Sequence, residues 1–454
     1  MNKILFFLGT DKSFTNLVKY GYFEKIIKKD FTILSLNSSD VALKSAPTMN
    51  VISYDSNWSA TNIDQFHLYL LLKNFITRNN KALNYDLRNR FLGPYKIKSI
   101  KTLTYSFKYF FHAVRKINWL FLLLNFNKSH HQILIQLRNK NFLDAGDYTY
   151  FYKILVENKI TSVITLTPFR DPKIYDLAQA CCDLNISLHI LIECWDNISS
   201  GYGLPDYITQ LYLWSEQQRL EILKFYPKYS TSTQIIGSYR RSYSLDFEKT
   251  IISNLDELNI LYLEGYFYED LNFILKLINN LLIESELHIS YKKVNIFVRR
   301  YPLKRQTIEI SQNEDWIGTF TANNCIFTTK KSQILDLNNE FQNIDLVFTE
   351  LTTAGLEAKF RNIPTFFIGS HASPRFLDSA AGYTYPFAQQ IKNSKSFFNL
   401  SYKKDRLRLV TQLFEFKINR NLKQRFLNQN EDLNFYAEPF DFLKWNNLID
   451  KISI

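Results

Sequence analysis

The sequence predicts an α/β protein made of two doubly wound parallel sheets. Short apolar runs of strand length alternate with stretches of helical periodicity, the pattern of a parallel sheet with right-handed crossovers. This alternation runs through two successive blocks, and 454 residues are too many for one ordinary core. A strongly basic helical segment interrupts only the first block.

In the first block, strands are expected at Lys3–Leu8, Phe31–Leu36 and Asn50–Tyr54, with a helix over Thr15–Lys29. After the basic segment come a helix at Tyr148–Glu157, a strand at Ile160–Leu166, a helix at Pro172–Asp183 and a strand at Ile186–Ile192. Strands over Asp206–Trp214 and Gln234–Gly237 flank a helix at Ser215–Phe225. Gly237–Asp246, rich in Ser, Tyr and Arg, reads as a linker. The second block has expected strands at Asn259–Leu263, Val294–Val298, Cys325–Thr328, Asp345–Phe348 and Thr365–Ile368. Its helices are expected at Asp270–Ile283, Ser332–Phe341, Thr353–Arg361 and Leu407–Asn428. Phe440–Ile454 is amphipathic, with Phe442, Leu443, Trp445, Leu448 and Ile449 on its apolar positions. The expected domains are therefore 1–242 and 243–435, with a terminal helix in 436–454. Two such domains imply a cleft, and ligands favour clefts and the carboxyl ends of parallel strands.

Four cysteines, two of them adjacent (Cys181 and Cys182), form no disulfide framework, which suits a reducing compartment. The first apolar run is too short for a signal peptide core. The most membrane-like run, Ile117–Asn127, is far short of the ~20 residues a spanning helix needs. The expectation is a cytoplasmic protein without a transmembrane helix.

Charge is concentrated. Residues 66–140 hold 14 Lys or Arg and one acid, Asp86, a net of +13 against +12 for the whole chain. Tyr105, Phe107, Tyr109, Phe110, Phe111, Trp119, Phe121 and Leu122 share this segment. A basic amphipathic insert of this kind suits an anionic bilayer surface. A solvated insert packed on its own domain is the plain alternative, and nucleic acid is the least favoured partner.

The second block carries Asp345-Leu-Val-Phe-Thr-Glu-Leu-Thr-Thr-Ala-Gly-Leu-Glu-Ala. A strand ending near Phe348 leads through Thr349–Thr352 into a helix from Thr353. Free N–H groups at a helix start bind phosphate, and threonine hydroxyls add donors. Glu357 is placed to accept hydrogen bonds from ribose or sugar hydroxyls. Spacing alone equally allows a threonine N-cap with Glu357 on a solvent face. In the first block, the expected strand Ile186–Ile192 runs into Glu193-Cys-Trp-Asp-Asn-Ile-Ser-Ser-Gly201. Asp196 is the candidate base with Glu193 second, although Asp-Asn is also ordinary turn chemistry. Gly9, Thr10, Trp195 and Asn197 are candidates for the acceptor side. Trp195 reads as more structural than stacking.

These stretches resemble bacterial GT-B glycosyltransferase-like proteins of surface-polysaccharide biosynthesis, from Asn2 to about Pro374. Four landmarks over about 45 residues carry the likeness: Trp195-Asp196-Asn197 with Gly201, Pro205-Asp206, Trp214 and Gly237. The lysine that relatives place before the first of these glycines is absent. Thr352 and Thr353 correspond to the Ser/Thr pair of the family. Pro364 before an apolar strand matches its Gly-Lys-Pro-like entry. Arg299 at the end of Asn295–Arg299 also matches, but Tyr301 stands where relatives have a histidine that contacts the nucleotide phosphate. Tyrosine donates a hydrogen bond without carrying positive charge, and Arg299 and Arg300 are the nearest replacements.

The resemblance implies a GT-B fold and transfer of a sugar from a nucleotide-activated donor to a cell-surface glycan or lipid-linked acceptor. The reaction would be inverting and independent of metal, with no cofactor. Arg299, Tyr301, Thr352, Thr353 and Glu357 would bind the nucleotide sugar. No Asp-x-Asp triplet and no zinc-like spacing occur, so no metal site is expected. Alternatives are a nucleotide-sugar epimerase or glycerophosphotransferase on the same fold, or a non-catalytic, membrane-associated assembly protein.

Overall fold

The computed structural model describes residues 3–8, 17, 31–36, 50–54, 56–59, 66, 146–166, 171–195, 198, 204–245, 256–265, 271–300, 317–322, 324–332, 337–350, 352–369, 391, 396–400, 402–418 and 437–453. Of the helix expected over Thr15–Lys29 only Leu17 is described, and of the basic segment only Phe66; the rest of both lies outside the described residues. The chain divides into two compact units, Met1–Tyr243 with Phe435–Ile454, and Ser244–Asn434.

The first unit holds a seven-stranded sheet in the order β3-β2-β1-β4-β5-β6-β7. The strands are β1 (Lys3–Leu8), β2 (Phe31–Leu36), β3 (Asn50–Tyr54), β4 (Ile160–Leu166), β5 (Ser187–Leu191), β6 (Gln210–Leu213) and β7 (Thr233–Ile235). Every neighbouring pair is parallel. Residues Ile4–Leu8 of β1 are all buried, as in a strand covered on both faces, which reads as a continuous apolar run instead of an alternating one. Helix α1 (Tyr148–Glu157) precedes β4, and α2 (Pro172–Asp183) follows it. Asp171 caps α2 by accepting the Lys173 N–H, with Pro172 at the first helical position. Helix α3 (Glu216–Phe225) follows β6, and α4 (Tyr239–Leu245) follows β7.

Segment Gly237–Asp246, expected as a linker, is instead anchored as far as Leu245. Tyr239 is buried in the apolar cluster of Ile4, Phe6, Ile164 and Tyr212. A stretch from near the C-terminus also runs alongside. Ser238 donates its N–H to Glu438 O at 2.7 Å, and Asp441 donates to Ile236 O at 2.8 Å. Gly237 has φ +84°, and a Cβ there would lie 2.0 Å from Pro439 O, so only glycine fits. Beyond this stretch, α9 (Phe442–Ser453) seats Trp445 and Ile449 in the same cluster.

The second unit holds another seven-stranded sheet, ordered β10-β11-β9-β8-β12-β13-β14. Its strands are β8 (Glu257–Leu263), β9 (Lys293–Arg299), β10 (Gly318–Ala322), β11 (Cys325–Lys331), β12 (Leu346–Thr349), β13 (Thr365–Gly369) and β14 (Phe397–Asn399). All pairs are parallel except β10 with β11. With β10 set aside, the order of the parallel strands is 3-2-1-4-5-6, the doubly wound order, and the first six strands of the other unit follow it too. Helix α5 (Leu271–Glu284) lays Ile274, Leu275, Ile278, Leu281 and Leu282 on the sheet. Helices α6 (Leu337–Phe341) and α7 (Thr353–Phe360) flank β12. Helix α8 (Lys403–Ile418) begins a turn before its expected start at Leu407; Lys403 and Lys404 are polar and exposed, so no apolar periodicity marks that first turn. The hairpin strand β10 was not expected. It pairs with β11 from Gly318–Thr329 to Ala322–Cys325, and Asn324 takes φ +64°, a region asparagine tolerates.

Candidate functional site

In the second sheet the strand order reverses between β8 and β12, where Leu263 pairs with Thr349. Ligands of open α/β sheets bind outside the carboxyl ends at such a switch point. Glu264-Gly265 leaves β8 there, and Glu350 leaves β12. At Gly265 a Cβ would lie 2.2 Å from Glu350 Oε2 and 2.9 Å from its Cβ. Glu350, itself buried, accepts the Tyr262 hydroxyl at 3.0 Å. Neither Gly265 nor Glu350 had been singled out from sequence. A lone glycine and a lone acid carry no local signal until two strands distant in sequence are paired.

Helix α7 starts at the same end. Thr352 is its N-cap, accepting the Gly355 N–H at 3.0 Å. The Thr352 hydroxyl lies 2.9 Å from that of Thr349, which donates to Glu350 O at 2.8 Å. A consistent proton order runs from Gly355 N–H to Thr352 to Thr349 to Glu350 O. Both capacities of the Thr352 hydroxyl are thus engaged within the loop, and Thr353 opens the helix. A Cβ on Gly355 would lie 2.6 Å from Thr349 Cγ2 and 2.9 Å from Phe367, so glycine lets α7 press onto β12 and β13. Glu357 is buried, not on a solvent face. The helix ends at Asn362 with φ +57°. Asparagine thus supplies the left-handed turn for which glycine is the usual residue.

The two arginines at the end of β9 are both ion-paired. Arg299 donates to Glu340 of α6 at 2.7 Å, and Glu340 is 2% exposed. Arg300 reaches both oxygens of buried Glu264, at 3.2 and 3.4 Å. Tyr301 lies outside the described residues. At this end of the sheet each of these arginines therefore faces a carboxylate.

In the first unit, Gly9, Thr10, Asp196 and Asn197 lie outside the described residues. Glu193 sits 3.9 Å from Arg240. Trp195 is buried. Trp214 donates its indole N–H to Ile192 O at 2.7 Å and its backbone N–H to Gln218 Oε1 at 2.7 Å. Gln218 in turn donates to Cys194 O at 3.2 Å. Tyr229 donates its hydroxyl to Pro205 O. The landmarks Trp195, Trp214 and Gly237 lie at the carboxyl ends of β5, β6 and β7, whereas Pro205 and its partner Tyr229 precede β6 and β7, at their amino ends.

A polar network missed in sequence lies at the starts of α1 and α2. Asp147 accepts Ser56 Oγ at 2.6 Å and Asn57 N at 2.7 Å. Asp176 accepts the Trp58 indole at 2.7 Å and Asp147 N at 2.8 Å. Burial raises the Asp171 carboxyl above its ordinary range, opposed by Lys173 at 3.0 Å. Only Asp171-Pro172 carried a local sign, that of a helix start. His189 of β5 lies 3.0 Å from the Tyr212 hydroxyl. Burial holds its pKa down at about 4, so it is neutral at pH 7. Among the described residues no group of three or more His, Cys, Asp or Glu could hold a metal ion. Among them, too, no helix is long and apolar enough to cross a membrane.

No protein family and no curated protein matches the sequence. Among solved structures, a putative UDP-N-acetylglucosamine 2-epimerase from Listeria monocytogenes aligns with TM-score 0.49 and 9% identity, over 99% of this chain and 96% of that one. The glycotransferase of kitacinnamycin aligns with TM-score 0.48 and 9% identity, over 100% of this chain and 99% of the other. MurG of Acinetobacter baumannii aligns with TM-score 0.46 and 11% identity, over 99% and 100%. The strand orders carry the assignment independently of these alignments. Two doubly wound sheets follow one another, and the last helix of the chain packs in the first unit, which makes this a GT-B fold.

Proposed function

We propose that the protein is a metal-independent, inverting glycosyltransferase that moves a sugar from a nucleotide-activated donor to a cell-surface glycan or lipid-linked acceptor. The observation that carries the proposal is the switch point of the second sheet. There Gly265 leaves one strand, and the Thr349–Thr352–Gly355 hydrogen-bond chain sets the start of α7. Helix starts of this kind favour phosphate through oriented N–H groups. Thr353, Tyr301 and Arg299 are assigned to the donor phosphates, Thr352 to fixing the loop, and Glu357 to the sugar or ribose hydroxyls. Asp196, with Glu193 second, takes the proton of the acceptor hydroxyl. The acceptor oxygen then attacks the anomeric carbon, and the nucleotide leaves onto donors that stabilise its charge. Gly9, Thr10, Trp195 and Asn197 are assigned to the acceptor side. The basic segment 66–140 would hold the enzyme on an anionic, cytoplasmic membrane face.

A thermal-shift screen against UDP, GDP, CDP, CMP and dTDP tests this reading, because a ligand bound only by the folded state raises Tm. One nucleotide should shift Tm, and Thr353→Ala should abolish that shift. No shift with any of the five would count against the proposal. A second reading draws on the Arg299–Glu340 and Arg300–Glu264 pairs, which occupy both arginines. It is a non-catalytic assembly protein with a retained fold, which predicts nucleotide binding without transfer, or none. Product analysis with the nucleotide sugar so identified separates transfer from epimerisation and from glycerophosphate transfer.

A further inference from the structure

Among the described residues, strand β10 ends the second sheet and hydrogen-bonds only β11. Gly318–Thr321 are exposed, with Phe320 at 37%. A Cβ built at Gly318 would meet nothing within 4 Å. Native proteins normally protect such an edge with charge, proline or a covering element, because its open N–H and C=O groups accept another strand. Here Ile317–Ala322 contains neither an ionisable residue nor a proline.

We propose that this edge is a two-fold self-association surface, on which β10 of a second copy of this chain pairs antiparallel about Phe320. The sequence Gly318-Thr-Phe-Thr-Ala322 is nearly symmetric about its centre. A two-fold axis at Phe320 sets the two Phe320 rings opposite each other. Each Thr319 then faces Thr321 of the second copy, and each Gly318 faces Ala322. Aromatic pairs and threonine pairs are favourable across antiparallel strands, and no like charges meet. Strand alternation puts Ile317, Thr319 and Thr321 on one face, which Ile326, 44% exposed and paired with Thr321, extends on β11. Pairing joins two sheets into one and covers both edges, so the contact closes at a dimer. A five-residue edge buries little area, which makes the dimer weak and concentration-dependent.

Sedimentation velocity of the full chain over a wide concentration series is the test. The wild type should move from the mass of one 53.8 kDa chain toward that of two. Thr319→Lys/Thr321→Lys sets lysines against lysines across the axis and should weaken the dimer at least roughly tenfold. Thr319→Glu/Thr321→Glu should behave alike, and an equimolar mixture of the two variants should recover a heterodimer. Both variants alter exposed threonines, and unchanged circular-dichroism melting confirms folding. A wild type that stays monomeric throughout, a lysine variant that dimerises as well as wild type, or a mixture that forms no heterodimer would each overturn the proposal.

Discussion

Gly265 and Glu350 leave neighbouring strands so close together that a Cβ on residue 265 would lie 2.2 Å from Glu350 Oε2. The contact also reaches the Cβ of Glu350, at 2.9 Å, so rotating the end of the side chain does not relieve it. Gly265→Ala should therefore displace Glu350 and break its bond from Tyr262. The expected loss is about 1–3 kcal/mol of stability and most of the nucleotide-induced rise in Tm. Wild-type thermal shifts in this variant would show that the switch point is not where the nucleotide binds.

Arg299 and Glu340 form an ion pair in which the carboxylate is almost wholly buried. Removing one partner strands the other charge, so Arg299→Ala should cost about 3–5 kcal/mol, whereas Arg299→Met with Glu340→Leu should recover most of that loss. Denaturant midpoints of the three proteins measure this. If Arg299→Ala costs under ~1 kcal/mol, the pair contributes no more than an exposed ion pair does.

Helix α9 should stabilise the first unit selectively. Trp445 is fully buried, and its ring centroid is 5.0 Å from that of Tyr212. Trp445→Ala should cost about 3–5 kcal/mol. Hydrogen exchange followed by mass spectrometry should show faster exchange in β6 and β7, with α5 and β8 unchanged. Equal acceleration in both units would contradict a local role.

His189 makes stability depend on pH. Its folded pKa, about 4, lies below the ordinary 6.5, so the unfolded chain binds more protons between those values. The contribution is fully present above pH ~6.5 and is lost as pH falls toward ~4, a change of order 3 kcal/mol at most. Urea midpoints measured from pH 7.5 to 4.5 should decline, and His189→Gln should flatten that decline. An unchanged slope in the variant would assign the acid sensitivity to other groups.

Much of the fold was legible because strands covered on both faces read as uninterrupted apolar runs. Lys3–Leu8, Ile160–Leu166 and Thr353 as the start of α7 were all located from local pattern. β10 escaped because Gly-Thr-Phe-Thr-Ala has one strongly apolar residue and lies at an edge, where burial imposes no pattern. Gly237–Leu245 looked like a linker because its partners, Glu438 to Asp441, are about 200 residues away in the chain.

By itself, the sequence determined the two-block α/β plan, the Thr-rich approach to α7 and the concentration of positive charge in 66–140. These follow from local periodicity, capping and composition, which neighbouring residues encode. Only the tertiary structure decided that Glu264, Gly265 and Glu350 share the switch point, that Arg299 and Arg300 each face a buried carboxylate, and that Glu357 is buried. Each of these depends on which strands become neighbours, and that choice is set by packing between residues far apart in sequence.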